Sequence, residues 1–203
     1  IGAINVPLLA SMEGSQATRG THPRFLDFMS QLLEKVVGCR ITVKLPFLGC
    51  TKGDVARSLN VECFREIAKS TISCAHYPVR VEKGSNWKSC GLCPACIFRR
   101  VALHAAGIEE SADVYQHDFL DPHSSQLDTK RLRYLMAYLL QIDSLSELDQ
   151  NQLPFMVTRH LGMTGLLRPN ESPRPYLDLF QRYRTEWYDL LSQARQKGCP
   201  WAH

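Results

Sequence analysis

Residues 71–99 read Thr71-Ile72-Ser73-Cys74, then, after a 15-residue gap, Cys90-Gly91-Leu92-Cys93-Pro94-Ala95-Cys96-Ile97-Phe98-Arg99. Four of the chain's eight cysteines fall here, in the pattern C-x15-C-x2-C-x2-C. Zinc takes four soft or borderline donors at tetrahedral corners. Cys93-x-x-Cys96 suits the first turn of a helix, and Gly91 permits the tight backbone turn that Cys90 and Cys93 need. Cys74, Cys90, Cys93 and Cys96 are therefore the expected zinc ligands. An all-cysteine set points to a closed, structural site, because catalytic zinc keeps an open position. His76 is a fifth candidate. Disulfides or buried thiols compete with this reading, as does an iron–sulfur cluster, since spacing alone does not separate iron from zinc. The other cysteines, Cys39, Cys50, Cys63 and Cys199, are scattered.

Outward from the cluster the chain reads mostly as helix. Thr21-His22-Pro23 is a helix start, with Phe25, Phe28, Met29, Leu32, Leu33 and Val36 at helical spacing and Gly38 as the stop. Thr51 caps a second helix through a capping box with Asp54, and its apolar face breaks near Asn60. Residues 71–92 read as a loop. Further helices are expected over 94–106, 128–142, 154–161 and 175–196, the last with Trp187 in an apolar stripe. The polar stretch 108–127 reads as a link. Only Arg40-Ile41-Thr42-Val43-Lys44-Leu45 alternates like a strand. One strand must join a sheet. Partners are expected near 4–10 and 70–74 or, preferably, in a missing part of the protein. The opening residues, IGAINVPLLA, lack an initiator Met and read like protein interior, so the chain is expected to begin inside a longer parent.

The 203 residues, 44% hydrophobic and 22% charged, describe a globular chain. A net charge of +4 without a run of like charges does not imply nucleic acid, which stays open as a partner. No apolar stretch approaches the roughly 18 residues of a membrane helix, and no export leader is seen. A cytoplasmic location without membrane contact is expected, where clustered thiols stay reduced and bind metal.

The cysteine segment, followed by Ala105-Ala106-Gly107, resembles the zinc segment of the 7-cyano-7-deazaguanine synthase (QueC) family. Pro46-Phe47-Leu48-Gly49-Cys50-Thr51-Lys52-Gly53-Asp54-Val55 is similar to the family's Thr-Lys segment, and His22-Pro23-Arg24-Phe25 to its helix start, in the same order. The resemblance covers roughly residues 20–108. It implies an α/β fold, the second half of an adenine-nucleotide α-hydrolase-like (PP-loop) sheet with a four-cysteine zinc loop. Residues 1–108 would form that part and 109–203 a mainly helical extension. It implies an ATP-dependent ligase, using Mg2+, that activates a 7-deazaguanine carboxylate and condenses it with ammonia to a nitrile or amide. The family's Ser-Gly-Gly-x-Asp-Ser loop is not found here, which implies a PP-loop partner half. The longer gap after Cys74, Ala75 in place of an aromatic, and the helical C-terminus look more like the QueC-like proteins of anti-phage islands, the QatC group. Defence-system partners or a homodimer follow from that likeness.

Arg19, Thr21 and Arg24 bracket a helix N-terminus, whose free N–H groups and positive dipole end suit a carboxylate or phosphate. Thr51 and Lys52 open the next helix, and the resemblance to the family's Thr-Lys segment implies that they reach an anion. Arg99 is expected to offset the charge of a thiolate centre or to meet a substrate carboxylate. Arg100 reads as surface. No catalytic residue is assigned. The competing function is a non-enzymatic zinc module that binds nucleic acid or a partner protein.

Overall fold

The computed structural model describes residues 19–39, 41–59, 61–76, 88–122, 129–147, 152–167 and 170–202. The expected strand partner near 4–10 and the gap 77–87 between the first two cysteines lie outside them. The described residues form seven α-helices: α1 (Pro23–Val37), α2 (Lys52–Arg57), α3 (Glu62–Ser70), α4 (Pro94–Ala105), α5 (Thr129–Glu147), α6 (Gln152–Thr164) and α7 (Arg174–Gln196). The α/β expectation is overturned. Residues 41–45 form no ladder, and 70–74 are the end of α3 and irregular chain. A strand persists only where a neighbour takes its N–H and C=O groups. Among the described residues the β-type pairing is one isolated parallel bridge, Ser89 with Tyr115. The described residues are thus helical and form no PP-loop sheet. Residues 41–45 instead lie along α1, where Ile41, Thr42, Val43 and Leu45 line a groove with Pro23, Leu26 and Asp27.

Local signals set the helix ends. His22 caps α1 through its side chain, Pro23 opens it, and Gly38 closes it at φ 74°. Thr51 and Asp54 complete a capping box on α2. Pro94 starts α4 directly after Cys93, and Gly107 follows its end at φ 63°. No described helix is long and apolar enough to cross a membrane.

The chain divides into two compact units. Residues 1–50 and 143–183 form the first. Its core takes Leu145, Leu153, Val157, Leu161, Leu166, Leu179, Phe180 and Tyr183, while α1 buries none of its residues. Phe28, Leu32 and Val36 stand on α1 exposed. Arg182 donates to the Gly49 carbonyl at 2.6 Å.

Residues 51–142 and 184–203 form the second unit. Its central helix is α4, which buries Cys96, Ile97, Arg99, Arg100, Val101, Ala102 and Leu103. A helix buried over most of its circumference is a core element. Ala56 of α2, Leu103 and Ile108 pack together. Trp187 is fully buried and stacks on Tyr138 at 5.3 Å, with Phe98 edge-on to Tyr138 at 5.2 Å. Large side chains buried this way contribute roughly 1.5–3 kcal/mol each. The polar stretch after α4 is not a bare link: Ile108, Tyr115, Phe119 and Leu120 are all buried. Trp201 donates to the Phe119 carbonyl at 2.5 Å.

Glu186 of α7, 3% exposed, anchors α2. Its Oε1 accepts from the Thr51 hydroxyl and from Arg57 Nη2 at 2.9 Å. The carboxyl occupies the space over Gly53, where a Cβ would lie 2.2 Å from Oε1. Gly53→Ala should therefore destabilise the protein by about 1–3 kcal/mol in urea denaturation, as overpacking does. Burial raises the Glu186 pKa, against the opposing pull of the Thr51 hydrogen bond and Arg57. The contribution of this group to stability is then fully present below the ordinary glutamate pKa, about 4.3. It is lost as pH rises through the higher folded value. Denaturation across that window should show a decline that Glu186→Gln flattens.

Candidate metal centre

The cysteine knuckle is built by α4 and the turn before it. Gly91 adopts φ 83°, a left-handed conformation, and a Cβ there would sit 1.9 Å from the His117 carbonyl oxygen. Only glycine meets both demands. Ser89 ties the knuckle to the chain beyond α4: its N–H donates to Val114 O at 2.9 Å, and its carbonyl accepts from Gln116 N at 2.8 Å.

Cys74 arrives from the far side, directly after α3, and Arg99 puts it there. The Arg99 guanidinium donates to Ala68 O at 2.7 Å, Lys69 O at 3.2 Å and Thr71 Oγ1 at 2.6 Å. It thereby caps the orphan carbonyls at the C-terminus of α3. Its Nε pairs with Glu110 at 2.8 Å, and Glu110 also accepts from the Tyr115 hydroxyl at 2.8 Å. The side chains of Arg99 and Glu110 are 8% and 4% exposed. Tyr115 packs against Cys93 and Cys96, so the network reaches the cysteines. Arg100 is likewise internal, not surface: it pairs with Asp118 at 2.5 Å and lies over the rings of Tyr115 and Phe119.

Cys74, His76, Cys90 and Cys93 each offer one donor atom, all within 4.8 Å of one another. Cys96 adds a fifth, its Sγ 3.9 Å from Cys90 Sγ. His76 Nδ1 lies 3.9 Å from the same sulfur. Ligands about 2.3 Å from a tetrahedral zinc stand roughly 3.8 Å apart, so both spacings fit the ion. Backbone N–H groups already point at the sulfurs: those of His76 and Cys90 donate to Cys74, and that of Cys93 to Cys90, each at 3.3 Å. Such donors favour the thiolate form that a metal binds. Burial opposes ionisation of Cys93. The N–H groups of Ala75 and Cys96, with the thiols of Cys96 and Cys90, outweigh it and draw the pKa down to about 6. Burial pushes Cys90 up to about 11 and raises Cys96 as well. The donor set suits zinc.

The other sequence-derived candidates divide between the two units. In the first, Arg19 and Thr21 form a single turn of 3-10 helix before α1. The Arg24 guanidinium lies 5.5 Å from the Phe28 ring centre. In the second, the Thr51 hydroxyl is engaged by Asp54 N and Glu186. Lys52 sets its ammonium 5.7 Å from the Phe98 ring centre. Partial burial lowers its pKa, and Arg99 lowers it further. Arg99 itself is engaged throughout by the contacts above. Glu110 and Glu186 carry this architecture, but they have no motif or spacing to single them out in the sequence.

One equivalent of zinc per chain is the expected result of plasma mass spectrometry after dialysis. Replacement by cobalt then counts thiolates spectroscopically. His76→Ala should keep the metal and a four-sulfur spectrum, whereas Cys96→Ser should lose affinity. The reverse pair of results would make His76 the fourth ligand. Arg99→Met leaves Glu110 buried without its partner and frees the end of α3, so it should lower stability by about 3–5 kcal/mol and weaken zinc binding with it.

Comparison with characterised proteins found no match, and comparison with solved structures found none. Residues 19–107, from the turn before α1 to the end of α4, match the family described as queuosine biosynthesis protein QueC. That segment contains all five donor residues of the candidate centre.

Proposed function

We propose that this chain serves a QueC-like, ATP-dependent ligase that activates a carboxylate of the 7-deazaguanine type for nitrile or amide formation. The family match over 19–107 supports the reading, and the observation that carries it is the setting of Lys52. Lys52 opens α2, directly after the capping Thr51, and holds a cation beside the Phe98 ring. An ammonium next to a flat aromatic face is suited to a planar heterocycle that bears a carboxylate: the ring stacks and the charge pairs. Zinc, held by the cysteine cluster, supplies a structural clamp that keeps α3 and α4 together. ATP with Mg2+ is held by a PP-loop partner, because the Ser-Gly-Gly-x-Asp-Ser sequence does not occur in this chain. The departures around Cys74 favour the anti-phage QatC-like group, with a second copy or defence proteins as partners.

Calorimetric titration tests this. A 7-carboxy-7-deazaguanine should bind at least about 10-fold more tightly than its analogue without the carboxylate, as expected for one charge-assisted contact. Lys52→Met should erase the difference without changing zinc content. Because the Lys52 pKa lies below that of an ordinary lysine, the preference should fade as pH rises through that lowered value. Equal binding of both compounds, or binding of neither, would leave the non-enzymatic zinc module as the better reading.

A further inference from the structure

The cap of α1 leaves one donor without an acceptor. His22 Nδ1 accepts the Arg24 backbone N–H at 3.2 Å, so the proton of the neutral ring resides on Nε2. Nε2 is buried and makes no hydrogen bond, and the residue is only 6% exposed. A buried N–H in that condition has lost its water without gaining a partner. A cap needs only an acceptor, which the aspartate Oδ1 provides with no donor left over.

The surroundings select the sign of the missing partner. Burial holds the His22 pKa down, and Arg24 and His160 lower it further, with no carboxylate acting in the other direction. The ring therefore stays a neutral donor in a positive setting. Arg24 has no ion pair among the described residues. Its Nη1 rests against Gly165, at φ 71°, where a Cβ would come within 2.0 Å of it. Gly165 directly follows the end of α6, so the Arg24 side chain reaches the chain just beyond that helix. The first amides of α1, a helix of 15 residues, add the positive end of its dipole.

We propose that His22 and Arg24 form a site for a phosphate group, free or carried by a nucleotide. The His22 Nε2–H donates to one oxygen, the first turn of α1 supplies the field, and the exposed Arg24 side chain swings from Gly165 to clamp a second oxygen. A phosphate offers separate oxygens to the His22 ring and to the Arg24 guanidinium. This site lies within the first unit, goes beyond the carboxylate reading of Lys52 and does not depend on it.

The test uses the full 203-residue chain, labelled with 15N, with inorganic phosphate as the first probe and ATP against adenosine as the second. A saturable shift of the His22 ring nitrogens with phosphate, or with ATP but not adenosine, supports the site and tells the two sources apart. His22→Asn keeps a side-chain oxygen for the cap and removes the Nε2–H. It should weaken binding by about 10-fold or more with unchanged helix content and melting temperature. Arg24→Ala should weaken binding comparably, and Lys52→Met should leave it intact. A His22 shift that grows linearly without saturation, or phosphate binding that persists undiminished in His22→Asn when read from the Arg24 backbone amide, overturns the proposal. Loss of this site with carboxylate binding preserved would leave the ligase reading standing, and the opposite result would separate them in the other direction.

Discussion

The grip of Arg99 on the end of α3 is the contact on which the metal centre depends. Three of the cysteines sit within one knuckle and need little help, because Gly91 and the first turn of α4 bring them together. Cys74 is separated from them by the 15-residue gap, and loop closure opposes its approach. Arg99 answers this by binding Ala68, Lys69 and Thr71, the residues just before Cys74. Its own charge is balanced by the buried Glu110. A guanidinium suits the task because its donors diverge in a fixed fork. Lysine, with one flexible ammonium, would not span the same partners.

Metal and scaffold reinforce each other. A structural ion adds its binding free energy to folding only if the ligands are held near their bound positions. The N–H groups already aimed at Cys74 and Cys90 make the cluster ready for thiolates. Tyr115, bridged to Ser89 and bonded to Glu110, transmits the same order to the chain after α4. That is how a stretch with a polar sequence is fastened to the core: Tyr115 and Phe119 are its buried anchors, and Arg100 lies over both rings.

The two units ask different things of their helices. In the second, α4 is enclosed, and α7 reaches α2 through Glu186. In the first, α1 carries a well-patterned apolar face and yet buries nothing. Amphipathic periodicity is evidence that a face can be buried. It does not say by what.

Much of the local structure could be read from residues alone. Pro23 with Gly38, Thr51 with Asp54, and Pro94 with Gly107 mark helix ends whose chemistry is complete within a few residues, and the structure has each of them. The cysteine spacing likewise announced a cluster that could hold a metal ion, and the structure gathers Cys74, Cys90 and Cys93 with His76. The strand over 40–45 failed because alternation describes a side-chain pattern, while a strand exists only by pairing, and residues 41–45 have no ladder. The burial of Arg100, the pairing of Arg99 with Glu110, and the anchoring of α2 by Glu186 were equally beyond the sequence. Each joins residues at least 11 positions apart, and the Glu186 contact spans up to 135. Whether a charged side chain is solvated or internal depends on the partner that tertiary packing delivers, and no local spacing encodes that.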